Sequence, residues 1–176
     1  SFKPQTPNIV LILMDDMGYG DVGRTGASQY ETPNLNRLAN QGMQFSRYYC
    51  PQAVSSASRA GLITGCYPNR IGISGALMPW SQVGISSEET TIAEVLKTRG
   101  YHTSVIGKWH LGMGWDFEKT EDFMPGRGRY HSEESRTDLE ATEEQRALWR
   151  EAFSRPTTGG PTTRGFDSYY GVDVPN

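Results

Sequence analysis

The sequence predicts an α/β fold with a largely parallel central sheet flanked by helices, and three observations carry that prediction. Residues 8–14, Asn8 followed by an unbroken apolar run from Ile9 to Met14, have the pattern of a central strand covered on both faces. Two punctuated amphipathic helices follow, over residues 32–42 and 90–100. Strand and helix signals then succeed one another as β-α-β-α-α-β, an order that short, right-handed connections turn into a parallel sheet.

The first run stops abruptly at Asp15 and Asp16, with Gly18, Gly20 and Gly23 just beyond. In an open α/β sheet, ligands bind outside the carboxyl ends of the strands. Two adjacent carboxylates repel each other unless a cation or protons intervene, and a hard cation such as Ca²⁺ takes oxygen donors of this kind. The pair reads either as a solvated turn or as part of a cation site. In the next element Thr32 is placed to cap, Pro33 opens the helix, Leu35, Leu38 and Ala39 share a face, and Gly42 ends it. Residues 43–49 alternate, with Met43, Phe45 and Arg47 on one side, and predict a second strand.

That strand leads through Cys50, Pro51 and Gln52 into Ser55-Ser56-Ala57-Ser58-Arg59-Ala60-Gly61-Leu62-Ile63-Thr64-Gly65. Small hydroxyl residues and an arginine ahead of an apolar pair mark a loop turning into a helix. Its free N–H groups and positive dipole end suit an anion, although capping is the plainer use of the serines. Residues 66–72 read as loop. Residues 73–87 hold no sustained period and suit the wall of a substrate cleft, with Trp80 either stacking on a sugar or serving as an ordinary loop aromatic. The helix at 90–100 has Thr90 or Thr91 as cap, Glu94 early, an apolar face of Ile92, Val95 and Leu96, and Gly100 as stop. The strand over 101–106 then empties into Gly107-Lys108-Trp109-His110-Leu111-Gly112. Extended backbone there points Lys108 and His110 to one side, and the flanking glycines allow a close ligand. A surface lysine and a core histidine are the plainer alternatives. Residues 113–164 turn polar and read as a surface insertion or a loop over the site, with a helical segment at 138–153. Arg127, Arg129 and His131 within it are either solvated or available to an anionic substrate.

Composition narrows the function classes. A chain of 176 residues can bury a core. Its net charge of −3 makes no case for nucleic-acid binding, and no apolar run approaches the roughly 20 residues of a transmembrane segment. Cys50 and Cys66 offer one bridge or two free thiols, and the second is the expectation. The first eight residues lack the pattern of a signal peptide, which leaves the compartment undecided.

Two motifs carry a family resemblance. Ser55-Ser56-Ala57-Ser58-Arg59 with Ile63-Thr64-Gly65 resembles the first signature of the sulfatases, in which Cys or Ser is followed by any residue, Pro or Ala, Ser and Arg. Gly107-Lys108-Trp109-His110-Leu111-Gly112 is similar to the second signature residue for residue, and Gly165-Phe166-Asp167 resembles a structural segment of the same family. The resemblance covers residues 8–112 and 161–171. It implies an alkaline-phosphatase-like α/β sandwich, with residues 1–176 as the N-terminal part of its catalytic domain, and hydrolysis of a sulfuric ester in a sulfated carbohydrate or a small aryl sulfate. It implies Ca²⁺ held by Asp15, Asp16 and residue 55, and a formylglycine made from Ser55 by a formylglycine-generating or serine-type maturation enzyme. It makes Arg59 a support for the formylglycine hydrate, Lys108 a sulfate ligand and His110 a hydrogen-bond partner of the hydrate. An unmodified serine would be left as a stable sulfate ester, whereas a hydrated aldehyde has a second hydroxyl with which to expel sulfate. Ser55 fits both a natural serine-type precursor and a cysteine replaced by serine. The second pair of metal ligands and the later His and Lys have no match before Asn176, so the resemblance assigns them to the rest of a sulfatase chain. A phosphonate or phosphate ester hydrolase of the same superfamily, and a catalytically silent glycan or anion binder, are the alternatives. The substrate class implies a periplasmic, cell-surface, extracellular or lysosomal protein.

Overall fold

The computed structural model describes residues 6–78, 81, 83–115 and 141–173. The chain divides into two compact units, Ser1–Tyr49 and Cys50–Asn176.

In the first unit, short 3₁₀ turns at Tyr19–Asp21 and Gly23–Thr25 precede helix α1 (Pro33–Gln41). Pro33 sits in the first turn, where its missing N–H costs nothing. Thr32 stands at the N-cap but makes no side-chain cap; its hydroxyl accepts the Gly23 N–H at 2.9 Å instead. Arg24 completes this tie, giving its backbone N–H to Asn36 Oδ1 at 3.1 Å and its Nε to Gln44 Oε1 at 2.7 Å. The strands expected over residues 8–14 and 43–49 do not form among the described residues. Val10 is 84% exposed and Met43 81%. A strand needs a neighbour to pair its N–H and C=O groups, and the described residues of this unit contain none. Periodicity marked surfaces that want covering without supplying the cover.

The second unit carries α2 (Ser55–Thr64), α3 (Ile92–Lys97), β1 (Ser104–Lys108), α4 (Glu143–Ser154) and β2 (Ser168–Val172). Residues 68–71, expected as loop, wind into a 3₁₀ turn. The capping box expected at the 90–100 helix is present in α3: the Thr91 hydroxyl accepts the Glu94 N–H at 3.2 Å, and the Glu94 carboxylate accepts the Thr91 N–H at 2.7 Å. Thr142 and Gln145 open α4 in the same way; the start expected for that helix, residues 138–140, lies outside the described residues. Ala60, Ile73, Ala93, Trp109, Leu111 and Phe166 make the core. Cys50 and Cys66 are free thiols. No helix among the described residues is long and apolar enough to cross a membrane.

β1 and β2 run parallel, with Val105 opposite Tyr169 and Gly107 opposite Gly171. The Gly-Phe-Asp segment sets this register. Asp167 accepts the Thr103 N–H at 2.8 Å and pairs with the Lys97 ammonium at 2.8 Å. The Lys97 hydrogen bond, followed by that from the Thr103 backbone, lowers the Asp167 carboxyl from its ordinary 3.8 to about 2. Because the folded value lies below the unfolded one, the clamp is fully stabilising above about pH 4 and is lost as pH falls through about 2. Thermal melts of the native chain and Asp167→Asn should therefore differ at pH 5 and converge near pH 2; a gap that stays constant would contradict the clamp.

Gly171 has no freedom in this ladder, since a Cβ there would lie 1.7 Å from the Gly107 carbonyl oxygen. Gly171→Ala is expected to cost roughly 3 kcal/mol by forcing the strands apart, measured as a lower urea midpoint.

Candidate active site

The site in the second unit is built where the start of α2 meets the end of β1. Ser56, Ala57 and Ala60 form the buried side of α2, and their small size lets the helix approach the core closely. Val54, at the N-cap, provides no side-chain cap, and the positive end of the helix dipole lies at Ser55. The loop before it is held down by Ser58, whose hydroxyl donates to the Gln52 carbonyl, and by Gln52, whose amide donates to Asn69 Oδ1 at 2.7 Å.

Ser55 opens α2 and is half-buried. Arg59, one turn later, donates from Nε to Ser55 Oγ at 3.0 Å and from Nη1 to the Lys108 carbonyl at 2.7 Å. One guanidinium thus ties the Ser55 hydroxyl to the last residue of β1. Its fixed fork and permanent charge suit that double duty. Lys108 is half-buried beside it.

His110 is placed differently from expectation. The strand ends at Lys108, and His110 adopts the left-handed φ of 54°, so the alternation that would aim both side chains to one side stops short of it. The residue is 2% exposed. Its Nε2 lies 2.6 Å from the Leu77 carbonyl, and its backbone N–H donates to the Asp173 carbonyl at 2.6 Å. A non-glycine residue holds such a φ only where its surroundings over-determine it, which is common at functional sites. Trp109, by contrast, turns inward: its indole N–H donates to the Gly112 carbonyl at 2.9 Å and its ring meets Phe166 edge-on at 6.0 Å. Gly112 has φ 87°, and a Cβ on it would lie 2.7 Å from Gly84 Cα; two loop backbones touch at that point.

A cleft of about 690 Å³ begins beside these residues. Val83 and Gly84 line it from one loop, Gly112 and Trp115 from a second, Thr158 and Arg164 from a third. Trp115 stands edge-on to Phe153 at 4.9 Å. Trp80, which the sequence offers either as a sugar-stacking or as an ordinary loop aromatic, lies outside the described residues, as do Arg127, Arg129 and His131, and the sequence carries no signal that picks out Trp115. Ser56 and the Leu77 backbone were also missed. Ser56 sits at the unrestricted position of its motif, and Leu77 lies in a stretch without period, so neither gave a signal.

Asp15 and Asp16 belong to the first unit, at the end of the 8–14 run, and Asp16 has φ 55°. Their carboxylates are the hard oxygen donors that Ca²⁺ takes, yet two residues fall short of its usual six to eight ligands. Among the described residues, no group of three or more His, Cys, Asp or Glu comes together around a metal position. The donor chemistry fits, and the set is partial.

The Sulfatase family model matches residues 7–171. Human arylsulfatase A is 51% identical over 109 residues, which cover 61% of this chain and 22% of the relative. An N-acetylgalactosamine-6-O-sulfatase of Bacteroides thetaiotaomicron is 46% identical over 110 residues, covering 62% of this chain and 22% of the relative. The crystal structure of Ps i-CgsB in complex with k-i-k-neocarrahexaose superposes with a TM-score of 0.66 at 31% identity, covering 97% of this chain and 29% of that one. The chain therefore spans less than a quarter of the length of these two curated relatives.

Proposed function

Since the chain belongs to the sulfatase family, we propose that it forms the N-terminal part of a sulfuric ester hydrolase acting on a sulfated saccharide, with Ser55 as the precursor of the nucleophile. The observation that carries this reading is the Arg59 fork between the Ser55 hydroxyl and the Lys108 carbonyl. It brings the precursor, a permanent cation and a second cationic residue to one uncapped helix start. The α/β fold and the names of the relatives support the reaction class, and the saccharide in the Ps i-CgsB structure supports the substrate class.

A formylglycine at position 55 would supply, as its hydrate, one hydroxyl to take the sulfuryl group and another whose proton loss expels sulfate. Arg59 fixes the position of the hydroxyl on residue 55 and adds positive charge where negative charge builds up. Lys108 binds a sulfate oxygen as a point charge, and the positive end of the α2 dipole adds to the same field. His110, whose Nε2 faces the Leu77 carbonyl at 2.6 Å, would hydrogen-bond the hydrate. Asp15 and Asp16 would hold Ca²⁺, which would supply Lewis-acid polarisation of a sulfate oxygen. The cleft beyond Gly112 receives the saccharide, with Trp115 as its aromatic wall. The remaining metal and sulfate ligands come from further residues of the sulfatase chain, and the protein works in a periplasmic, cell-surface, extracellular or lysosomal setting.

The test is turnover by the full-length protein, produced with its maturation enzyme, on an aryl sulfate, the matching aryl phosphate and sulfated galactosamine oligosaccharides. Sulfate release exceeding phosphate release is expected. Preference for phosphate would favour the phosphoester reading, and binding without any product would favour a silent glycan binder.

A further inference from the structure

We infer that Ser56 is a positioning residue which, acting through Leu77, holds His110 in the tautomer that carries its proton on Nε2. The inference deepens the reading above, because it concerns how His110 is presented to the site.

The chain of contacts is short and dry. Ser56 is 0% exposed, Leu77 8% and His110 2%. The Ser56 hydroxyl oxygen accepts the Leu77 N–H at 2.9 Å, and the carbonyl of the same Leu77 faces His110 Nε2 at 2.6 Å. A carbonyl can only accept, so Nε2 is the donor; in a neutral ring Nδ1 is then the acceptor nitrogen. The other tautomer would set a lone pair against the carbonyl oxygen. The tautomer is therefore decided by where the Leu77 carbonyl points. Residues 73–78 belong to no helix or strand, so no regular ladder orients that carbonyl. Ser56 supplies what the local backbone lacks: an anchor on the N–H of Leu77, carried on the second residue of α2. The helix that begins with the nucleophile precursor thus also sets the protonation pattern of the histidine.

Ser56→Ala removes the anchor while keeping a small residue that favours helix. It leaves the Leu77 N–H buried without its acceptor, and the segment shifts to satisfy it. Residues that orient a functional group from behind typically change rate by 10–100-fold when lost. We expect kcat to fall roughly tenfold with KM changed by less than about twofold.

The experiment uses the full-length protein labelled with ¹⁵N-histidine, with the His110 resonances assigned by difference against His110→Asn. In the native protein, Nε2 should give the protonated signature and Nδ1 the unprotonated one. In Ser56→Ala both signals should move toward a mixture of tautomers, and Ser56→Thr, which keeps the hydroxyl, should restore the native pattern. If Ser56→Ala does not fold, Ser56→Cys takes its place, because a thiol fills similar space and accepts poorly. A proton on Nδ1 in the native protein, or an unmixed Nε2–H pattern and unchanged kcat in Ser56→Ala, overturns the inference. The spectra need no substrate, so a protein that failed to release sulfate would refute the proposed function and still report the tautomer.

Discussion

Arg59→Lys is expected to lower kcat/KM for a sulfate ester by roughly a thousandfold, the upper range for losing one preorganised donor at a developing negative charge. Lysine keeps the charge but not the fork. The guanidinium reaches the Ser55 hydroxyl with Nε and the Lys108 carbonyl with Nη1, and a single ammonium cannot hold both in that geometry. The change should act on more than charge, because it frees the nucleophile position from the end of β1. It should also lower stability by about 1 kcal/mol through the lost bond to the Lys108 carbonyl. Steady-state kinetics with a denaturant melt on the same sample separates the two effects. Full activity in a folded Arg59→Lys protein would remove the fork from the mechanism.

Ser55→Ala is expected to abolish turnover, a loss on the order of a millionfold, as when a covalent nucleophile is removed. The fold should survive, because Ser55 is half-buried at the first position of α2, where alanine is well tolerated. A melting midpoint close to that of the native protein, with sulfate release at background, is the expected pair of results. Measurable turnover in Ser55→Ala would move the nucleophile elsewhere.

What could be read from the sequence was mostly what is local. α1 and α3 announce themselves through Pro33, Gly42, Thr91 and Glu94, because caps and stops act within a few residues. The strands behaved otherwise. Residues 8–14 and 43–49 have the right patterns and remain unpaired among the described residues, while Ser168–Val172, which holds Gly171, becomes β2 only by pairing with β1. Pairing is a long-range property that periodicity does not contain. The same division runs through the site. Ser55 and Arg59, four residues apart on one helix, are neighbours by helical geometry alone. The role of Lys108 as a carbonyl acceptor for Arg59 is invisible to side-chain reasoning. The left-handed turn at His110 breaks the alternation that predicts its direction, and it is held by the carbonyls of Leu77 and Asp173, both distant from it in the chain.

The central claim is that residue 55 is converted into the nucleophile, and mass spectrometry of the peptide carrying it tests that most directly. On protein from the native host, that peptide is expected to be lighter by roughly 2 Da than the serine form and to react with a hydrazide. An intact serine in native and recombinant protein alike would contradict it.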